Sequence, residues 1–375
     1  MQFRFIKITL IAIIFAFFNV FANAEHTEEG HGEAKETFNA GEMIMHHIAD
    51  AHQIHFMTLK AETEDPNHLS IPLPIILIDG GIKIFSSSHF YHTPVHLAKG
   101  HGYEHGNYIM VDEVIYKKNA DGGLTYNEKG AIENAKPLDF SITKTVVGLL
   151  LTTFLVLWLF ISVGRAYKKR GHGVAPKGLQ SLLEPLIIFV EEQIIIPSIG
   201  SKAKARKFTP FLLSVFFFIW IANLLGLMSF LGGYNVMGSL GVTLVLAIFV
   251  LIITNINGNK HYWKHIWWPD GVPAIIKILI LVPIEVIQIV LKPAVLMIRL
   301  TANITAGHII ILAFTALIFI FGQSSAVAGY SVGIGSVLFM VFMFAIELLV
   351  AFLQAYVFTL LSSLYFGSAV EEAHH

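Results

Sequence analysis

From Phe208 to Asn259 the chain runs 52 residues without a single Asp, Glu, Lys, Arg or His. Soluble domains carry about 25% charged residues, so a stretch of this length has no place on a water-facing fold. A bilayer, by contrast, asks for runs of ~20 apolar residues, and these must be helical to satisfy their own backbone groups. The stretch is too long for one span, and Gly232-Gly233-Tyr234-Asn235 supplies a break. Two helices are expected, about 208–230 and 236–257.

The same measure places three more. Thr145–Gly164 is charge-free over 20 residues and predicts a helix at about 142–164. Two apolar stretches, about 274–320 and 332–367, flank GQSSAVAGYSVGIG. Both overrun a simple span, so steep tilt or a break is expected. Between the first two spans, GLQSLLEPLIIFVEEQIIIPSIG mixes apolar residues with Glu184, Glu191 and Glu192. It reads as an amphipathic helix at about 178–200, lying in the interface. The whole chain agrees with a membrane protein, being 55% hydrophobic and 14% charged. Its net charge of −1 gives no nucleic-acid footprint. The absence of cysteine excludes disulfides, a thiolate nucleophile and a cysteine metal site.

Charge sets the orientation. MQFRFIKITLIAIIFAFFNVFANA has a basic start, a short apolar run and an Ala22-Asn23-Ala24 cleavage pattern, so residues 1–24 read as a signal peptide. Residues 25–140 are polar, broken by Gly and Pro, and hold 12 of the 18 histidines. They read as a small extracytoplasmic α+β region. A helix is expected around GEMIMHHIADAHQIHFM, a hairpin where PIILI and IKIF flank Asp79-Gly80-Gly81, and a strand at YIMVDEVIY. His46 with Asp50 and His52 with His55 have chelating spacing on a helix, but no complete metal ligand set is evident. The loop from Arg165 to Lys207 carries nine basic residues and belongs in the cytoplasm. Five spans over residues 141–367 then end in a cytoplasmic tail, 368–375. The fold class is an all-α membrane protein with five transmembrane helices and this small α+β region.

Charges within the apolar helices carry the functional signal. Glu285, Lys292 and Arg299 are spaced at seven, and Asn303 follows four later. These positions share one helix face. Such a stripe cannot face lipid, because a charge at the bilayer centre costs at least ~2.5–3.5 kcal/mol. On the last helix Glu347 and Gln354 are also seven apart. Laid antiparallel, the two helices put Arg299 near Gln354 and His308 near Glu347. Arginine keeps its proton and suits a fixed electrostatic gate. Histidine and glutamate exchange protons and suit a relay.

LMIRLTANITAGHII (296–310) and ELLVAFLQAYVFTLLSSLYF (347–366), in that order, resemble the a subunit of the rotary F-type ATP synthase membrane sector. TPFLLSVFFFIWIANLLGLM (209–228) is similar to that family's second span. The resemblance implies a steeply tilted C-terminal helical hairpin against a ring of c subunits. It implies b-type peripheral stalk subunits and the remaining synthase subunits as partners, a bacterial inner membrane, and no cofactor. It implies two offset half-channels, with Arg299 as the essential arginine facing the ring carboxylate. Asn303 and Gln354 match the polar positions beside it, and His308 and Glu347 the outer half-channel pair. Glu285 matches the acidic position toward the cytoplasmic exit, and Lys292 a basic position between. His308 and Glu347 stand in the order of mitochondrial members, exchanged relative to many bacterial ones. Gly226 occupies a place where some bacterial members have aspartate, and Asn223 offers a polar contact there. No G-x-x-x-x-G-K-[ST] loop is present, so phosphoryl chemistry falls to partners and the chain is no enzyme by itself. A stand-alone transporter with an Arg/His/Glu relay is the competing reading, but repeated halves are lacking. A non-transporting assembly factor is the third.

Overall fold

The computed structural model describes residues 40–59, 67–97, 101–119, 121–128, 130–170, 176–228, 233–268 and 273–372. The expected signal peptide, 1–24, lies outside these residues. The chain divides into two compact units, residues 1–38 with 57–69 and residues 39–56 with 70–375. Of the first unit, the described residues 57–59 and 67–69 are strand.

The extramembrane region opens with helix α1 (Ala40–Ile48) and strands β1 (Gln53–Leu59) and β2 (Asn67–Pro72), which form a two-stranded sheet. Strands β3 (Pro74–Ile78) and β4 (Ile82–Ser86) pair as an antiparallel hairpin over Asp79-Gly80-Gly81. Gly80 takes φ 62° there, a backbone that an ordinary side chain resists. After a short helix α2 (Ser88–Tyr91), β5 (Pro94–His96), β6 (His101–His105), β7 (Tyr108–Val111) and β8 (Val114–Lys117) run as an antiparallel meander. Strand β9 (Leu138–Asp139) returns to β3. Ile75 and Leu77 alternate inward from β3 and meet Phe90, Tyr108, Met110 and Ile115 in one small core.

Two sequence expectations need correction here. The helix expected around GEMIMHHIADAHQIHFM stops at Ile48, and its second half becomes β1. Its apolar residues serve both periods over so short a run. YIMVDEVIY is a hairpin, β7–β8, rather than one strand. Asp112 and Glu113 both take positive φ, 48° and 64°, and turn the chain between Val111 and Val114. That is a two-residue turn of the kind usually built with Asn-Gly.

The membrane part begins at α3 (Lys144–Arg170). Helix α4 (Leu179–Phe189), a π-helical stretch Val190–Ile195 and α5 (Ile196–Ile199) follow as one amphipathic arm. Gly200 ends it at φ 85°, and the Ser201 hydroxyl accepts from Lys204 N to cap α6 (Lys202–Leu227). Helix α7 (Leu240–Ile256) is only 17 residues and bends by 103° into α8 (Lys260–Trp267). Asn259 drives that corner, its Oδ1 accepting from Tyr262 N at 2.7 Å. The short helix α9 (Ala274–Ile276) and a π-helical turn Lys277–Leu281 lead into α10 (Val282–Ser324). The π turn directly precedes Pro283, which has no N–H for a regular helical bond. Helix α11 (Ala326–Val370) completes the chain. Four helices are long and apolar enough to cross a membrane, or five if the bent α7–α8 pair is one span.

The turn between α10 and α11 is tighter than the sequence predicts. GQSSAVAGYSVGIG reads as a loop, yet only Ser325 is extended there. Its hydroxyl accepts from Ala328 N at 3.1 Å, so one residue both ends a helix and caps the next. The arms have 43 and 45 residues, about 65 Å each at helical rise, roughly twice the hydrocarbon thickness. The expected tail 368–375 also differs, because α11 continues to Val370. Lys204 Nζ donates to Val370 O at 3.1 Å and pairs with Glu372 at 2.8 Å, tying the tail to the start of α6.

Helix α6 is the hub of the core. Phe208, Leu212, Val215, Phe216, Phe217 and Ile219 are all buried, packed against α11 through Phe352, Phe358 and Phe366. Helix α10 lies at the other extreme. Of its 43 residues only Pro293, Leu296, Leu300 and Ala316 are buried.

Candidate functional site

The long hairpin brings the polar residues of two helices together. Arg299 and Gln354 line one small cavity between α10 and α11, walled by Leu296, Leu300, Phe358 and Leu361. Gln354 is buried, whereas Arg299 is exposed beside exposed Val295 and Ile298. Among the described residues Arg299 forms no ion pair. Glu285 lies 14 residues back on the same helical stretch, about 21 Å away, and cannot serve. Asn303, one turn beyond Arg299, is exposed on the same helix. Lys292 is exposed with its ammonium 5.9 Å from the Tyr365 ring, and Glu285 is half-buried. The stripe predicted from spacing thus sits mostly on the open side of α10.

Farther along the hairpin Glu347 is 8% exposed, with both carboxylate oxygens buried and unpartnered among the described residues. Its carboxylate takes the space left by the missing side chain of Gly307, where a Cβ would stand 2.2 Å from Glu347 Oε1. His308 is the next residue. A Cβ on Gly226 of α6 would lie 3.7 Å from its Nε2, and 3.1 Å from Tyr234 O. The structure therefore gathers Glu347, Gly307, His308 and Gly226 in one place, without an ion pair between His308 and Glu347. Asn223 is buried one turn before Gly226 and donates to Ala351 O at 3.3 Å. Helix α11 thus carries Glu347, Ala351 and Gln354 as successive contacts down one side.

A second ionic cluster escaped sequence reasoning. His52 is 2% exposed, with Nδ1 3.1 Å from Glu113 Oε2 and Nε2 3.6 Å from Asp139 Oδ2. The backbone N of His52 also donates to Glu113, and Tyr91 Oη donates to both Glu113 oxygens at 2.9 and 3.0 Å. Burial works against the imidazolium, but Asp139 and Glu113 outweigh it and push His52 up to about 9. Burial pushes the two acids up as well. The bonds from His52 more than offset it and hold both below the usual carboxylate range. Burial and the Glu113 charge push the Tyr91 hydroxyl up. Partners 61 residues apart leave no local signal in a sequence.

The sign of these shifts fixes a pH window. His52 contributes stability in full below about 6.5, and that contribution is lost as pH rises through about 9. Glu113 and Asp139 contribute above about 4.5, and lose it as pH falls. Hydrogen-exchange protection of β7–β8, corrected for intrinsic rates, is expected to peak near pH 5–6.5 and to weaken toward pH 9 by roughly 2–3 kcal/mol. His52→Gln is expected to flatten the alkaline limb, and a limb that persists in that variant refutes the assignment.

The chelating pairs noted in the sequence are not helical pairs. Helix α1 ends before Asp50, His52 lies in a bend before β1, and His55 lies in β1. Asp50 instead accepts from Thr145 N at 2.9 Å. A cleft of about 580 Å³ lies by His89, His92, Glu104 and His105. Among the described residues no group of three or more His, Asp or Glu could hold a metal ion.

Comparison with known proteins gives two family matches. A family described as "ATP synthase A chain" matches residues 146–367, and a domain of unknown function matches residues 43–140. The protein named ATP synthase subunit a from Chloroherpeton thalassium is 38% identical over 63% of this chain and 69% of its own length. Two proteins of that name from Chlorobium phaeobacteroides strains are also similar. One is 36% identical over 77% of this chain and 82% of its own length. The other is 34% identical over 93% of this chain and 81% of its own length.

Proposed function

The chain belongs to the ATP synthase A chain family, and from that premise we propose that it is the proton-channel stator of a rotary ATP synthase. It couples proton flow to rotation of a c-subunit ring and so to ATP synthesis, without a catalytic site of its own. Two offset half-channels meet at the rotor face. Arg299 is the gate, drawing the ring carboxylate and keeping the half-channels from joining. His308, Glu347 and Asn223 belong to the outer half-channel. Gln354 and Asn303 flank the gate, and Glu285 and Lys292 lie toward the cytoplasmic exit. The N-terminal region, 25–140, is periplasmic in this reading, with residues 1–24 a cleaved signal. The C-terminus is cytoplasmic in a bacterial inner membrane. Partners are the c-ring, b-type stalk subunits and the other synthase subunits.

The observation that carries this reading is a guanidinium exposed on an apolar helix with no ion partner among the described residues. An arginine cannot discharge itself, and in hydrocarbon it requires an opposite charge or water. A rotor carboxylate meets that requirement from outside. Only four of the 43 residues of the helix that holds Arg299 are fully buried, which suits a helix whose open side meets a partner and lipid. The direct test is purification from native membranes followed by reconstitution. The chain is expected to co-purify with a ring of small two-helix proteolipids and to support ATP-driven acidification of vesicles. Isolation of an active chain free of any such ring overturns the reading.

A further inference from the structure

The sheet β4–β3–β9 is apolar on the side that its own chain leaves open. Strand β3 turns Ile75 and Leu77 into the small core, and Ile76 and Ile78 the other way. Ile76 pairs with Ile84, Ile78 pairs with both Ile82 and Leu138, and Phe140 N donates to Ile76 O. Ile82, Ile84, Leu138 and Phe140 are 71, 68, 65 and 64% exposed, so nothing among the described residues covers this face. The cation of the hairpin lies on the opposite side. Lys83 pairs with buried Leu77, and its ammonium donates to Tyr108 Oη at 3.0 Å. A sheet with one face in water alternates apolar inside and polar outside. Here PIILI is apolar on both faces, the pattern of a strand covered twice.

The same face runs into the first membrane helix. Beyond β9 the chain keeps bonding to β3. Ser141 Oγ accepts from Ile76 N at 3.1 Å, and Ile142 N donates to Pro74 O at 3.1 Å. Leu138, Phe140 and Ile142 therefore form one apolar file that ends two residues before Lys144, where α3 begins. The helix start is held by the same region, with Lys144 N bonded to Ala51 O and Thr145 N to Asp50 Oδ1, both at 2.9 Å. The charge-free run begins at Thr145, and the hydrocarbon begins with it. Phe140 is four residues from Lys144, at most ~14 Å of chain. An interfacial layer ~5–7 Å deep and the length of a phenylalanine side chain close most of that gap. Leu150, Phe154 and Leu157 of α3 are exposed as well, and a bilayer that covers them reaches this file without a further partner.

We propose that this face rests on the lipid leaflet at the Lys144 end of α3, with Ile84, Leu138 and Phe140 among the glycerol and upper acyl groups. The sheet leans on the membrane and anchors the extramembrane region beside α3. That gives a role to residues 43–140, which match a domain of unknown function. Contiguous apolar patches are rare on water-facing surfaces and mark protein or membrane contacts. The bilayer is favoured because the chain itself brings the face there, through a span that starts four residues after Phe140. The proposal stands on that span and on the family's membrane location, not on the path of the proton.

The chain has no cysteine, so single cysteines report one position at a time. Ile84→Cys and Phe140→Cys are labelled with an environment-sensitive fluorophore in the assembled complex in lipid nanodiscs, with the unsubstituted complex as background. Asn107→Cys, at the exposed turn between β6 and β7 on the far side of the small core, is the comparison. Labels at 84 and 140 are expected to be quenched by spin-labelled lipid at least about twofold more than at 107, and by aqueous iodide at least about twofold less. Leu138→Cys reads the same face if Phe140→Cys assembles poorly. Position 84 decides, since Phe140 is near the span in any case. Iodide access at 84 equal to that at 107 places the face in water and overturns the proposal. Protection from iodide without quenching by lipid means that a protein covers the face, another subunit or a second copy, and overturns it as well. No readout depends on proton flow, so this result stands or falls apart from the half-channel reading.

Discussion

Arg299→Ala is expected to abolish ATP-driven proton pumping by the assembled complex, by about 100-fold or more, while the ring still co-purifies. The size follows from what the residue replaces. An exposed guanidinium among Val295, Ile298 and other exposed aliphatics is a large expense for the free chain, ~2.5–3.5 kcal/mol on insertion scales. Alanine relieves that expense, so assembly does not suffer. In the proposed reading it also removes the charge that meets the rotor acid. Passive proton leak through the membrane sector is therefore expected to rise as pumping is lost. Arg299→Lys is the informative companion. Lysine supplies the charge but can lose its proton and lacks the planar fork of donors, so partial coupling with residual leak is expected. Vesicle acidification and leak rates read both effects. Full coupling in Arg299→Ala would falsify the gate.

The membrane half of this fold was legible because its signals are local. Charge-free runs announce the spans, and the seven-residue spacing of Glu285, Lys292 and Arg299 announces one face of a helix. The antiparallel register argued from Arg299–His308 and Gln354–Glu347 rests on helical rise alone. The structure puts Arg299 with Gln354 at one cavity, and Glu347 against the residue preceding His308. What stayed hidden is long-range. The cap that Asp50 gives Thr145 spans 95 residues, and the Glu113 bond to His52 spans 61. Neither leaves a periodic trace. The Asp112–Glu113 turn was hidden for another reason. Asp112 suits positive φ, but Glu113 stands where such a turn favours Gly, and it is held there by His52 and Tyr91. The helix expected to end at about 257 stops at Ile256, and what the sequence reading lacked was the short helix α8 after Asn257-Gly258-Asn259.

Glu347→Gln is the second decisive variant, with proton flux expected to fall about tenfold or more and assembly kept. A buried carboxylate whose two oxygens find no donor among the described residues costs several kcal/mol when charged, and stability alone gives no reason to keep it. Glutamine preserves the shape and removes the proton site. His308→Ala is expected to slow flux in the same direction, because it removes the other exchangeable group at this level. A third variant distinguishes chemistry from position. Gly307→Ala leaves both groups in place but sets a methyl where Oε1 now lies, 2.2 Å away. The carboxylate end is flexible and can swing aside, so folding is expected to change by less than about 1 kcal/mol. Flux is expected to drop several-fold all the same, since transfer depends on where the acid points. Wild-type flux in both Glu347→Gln and His308→Ala would remove this pair from the path and require protons to reach the rotor by another route.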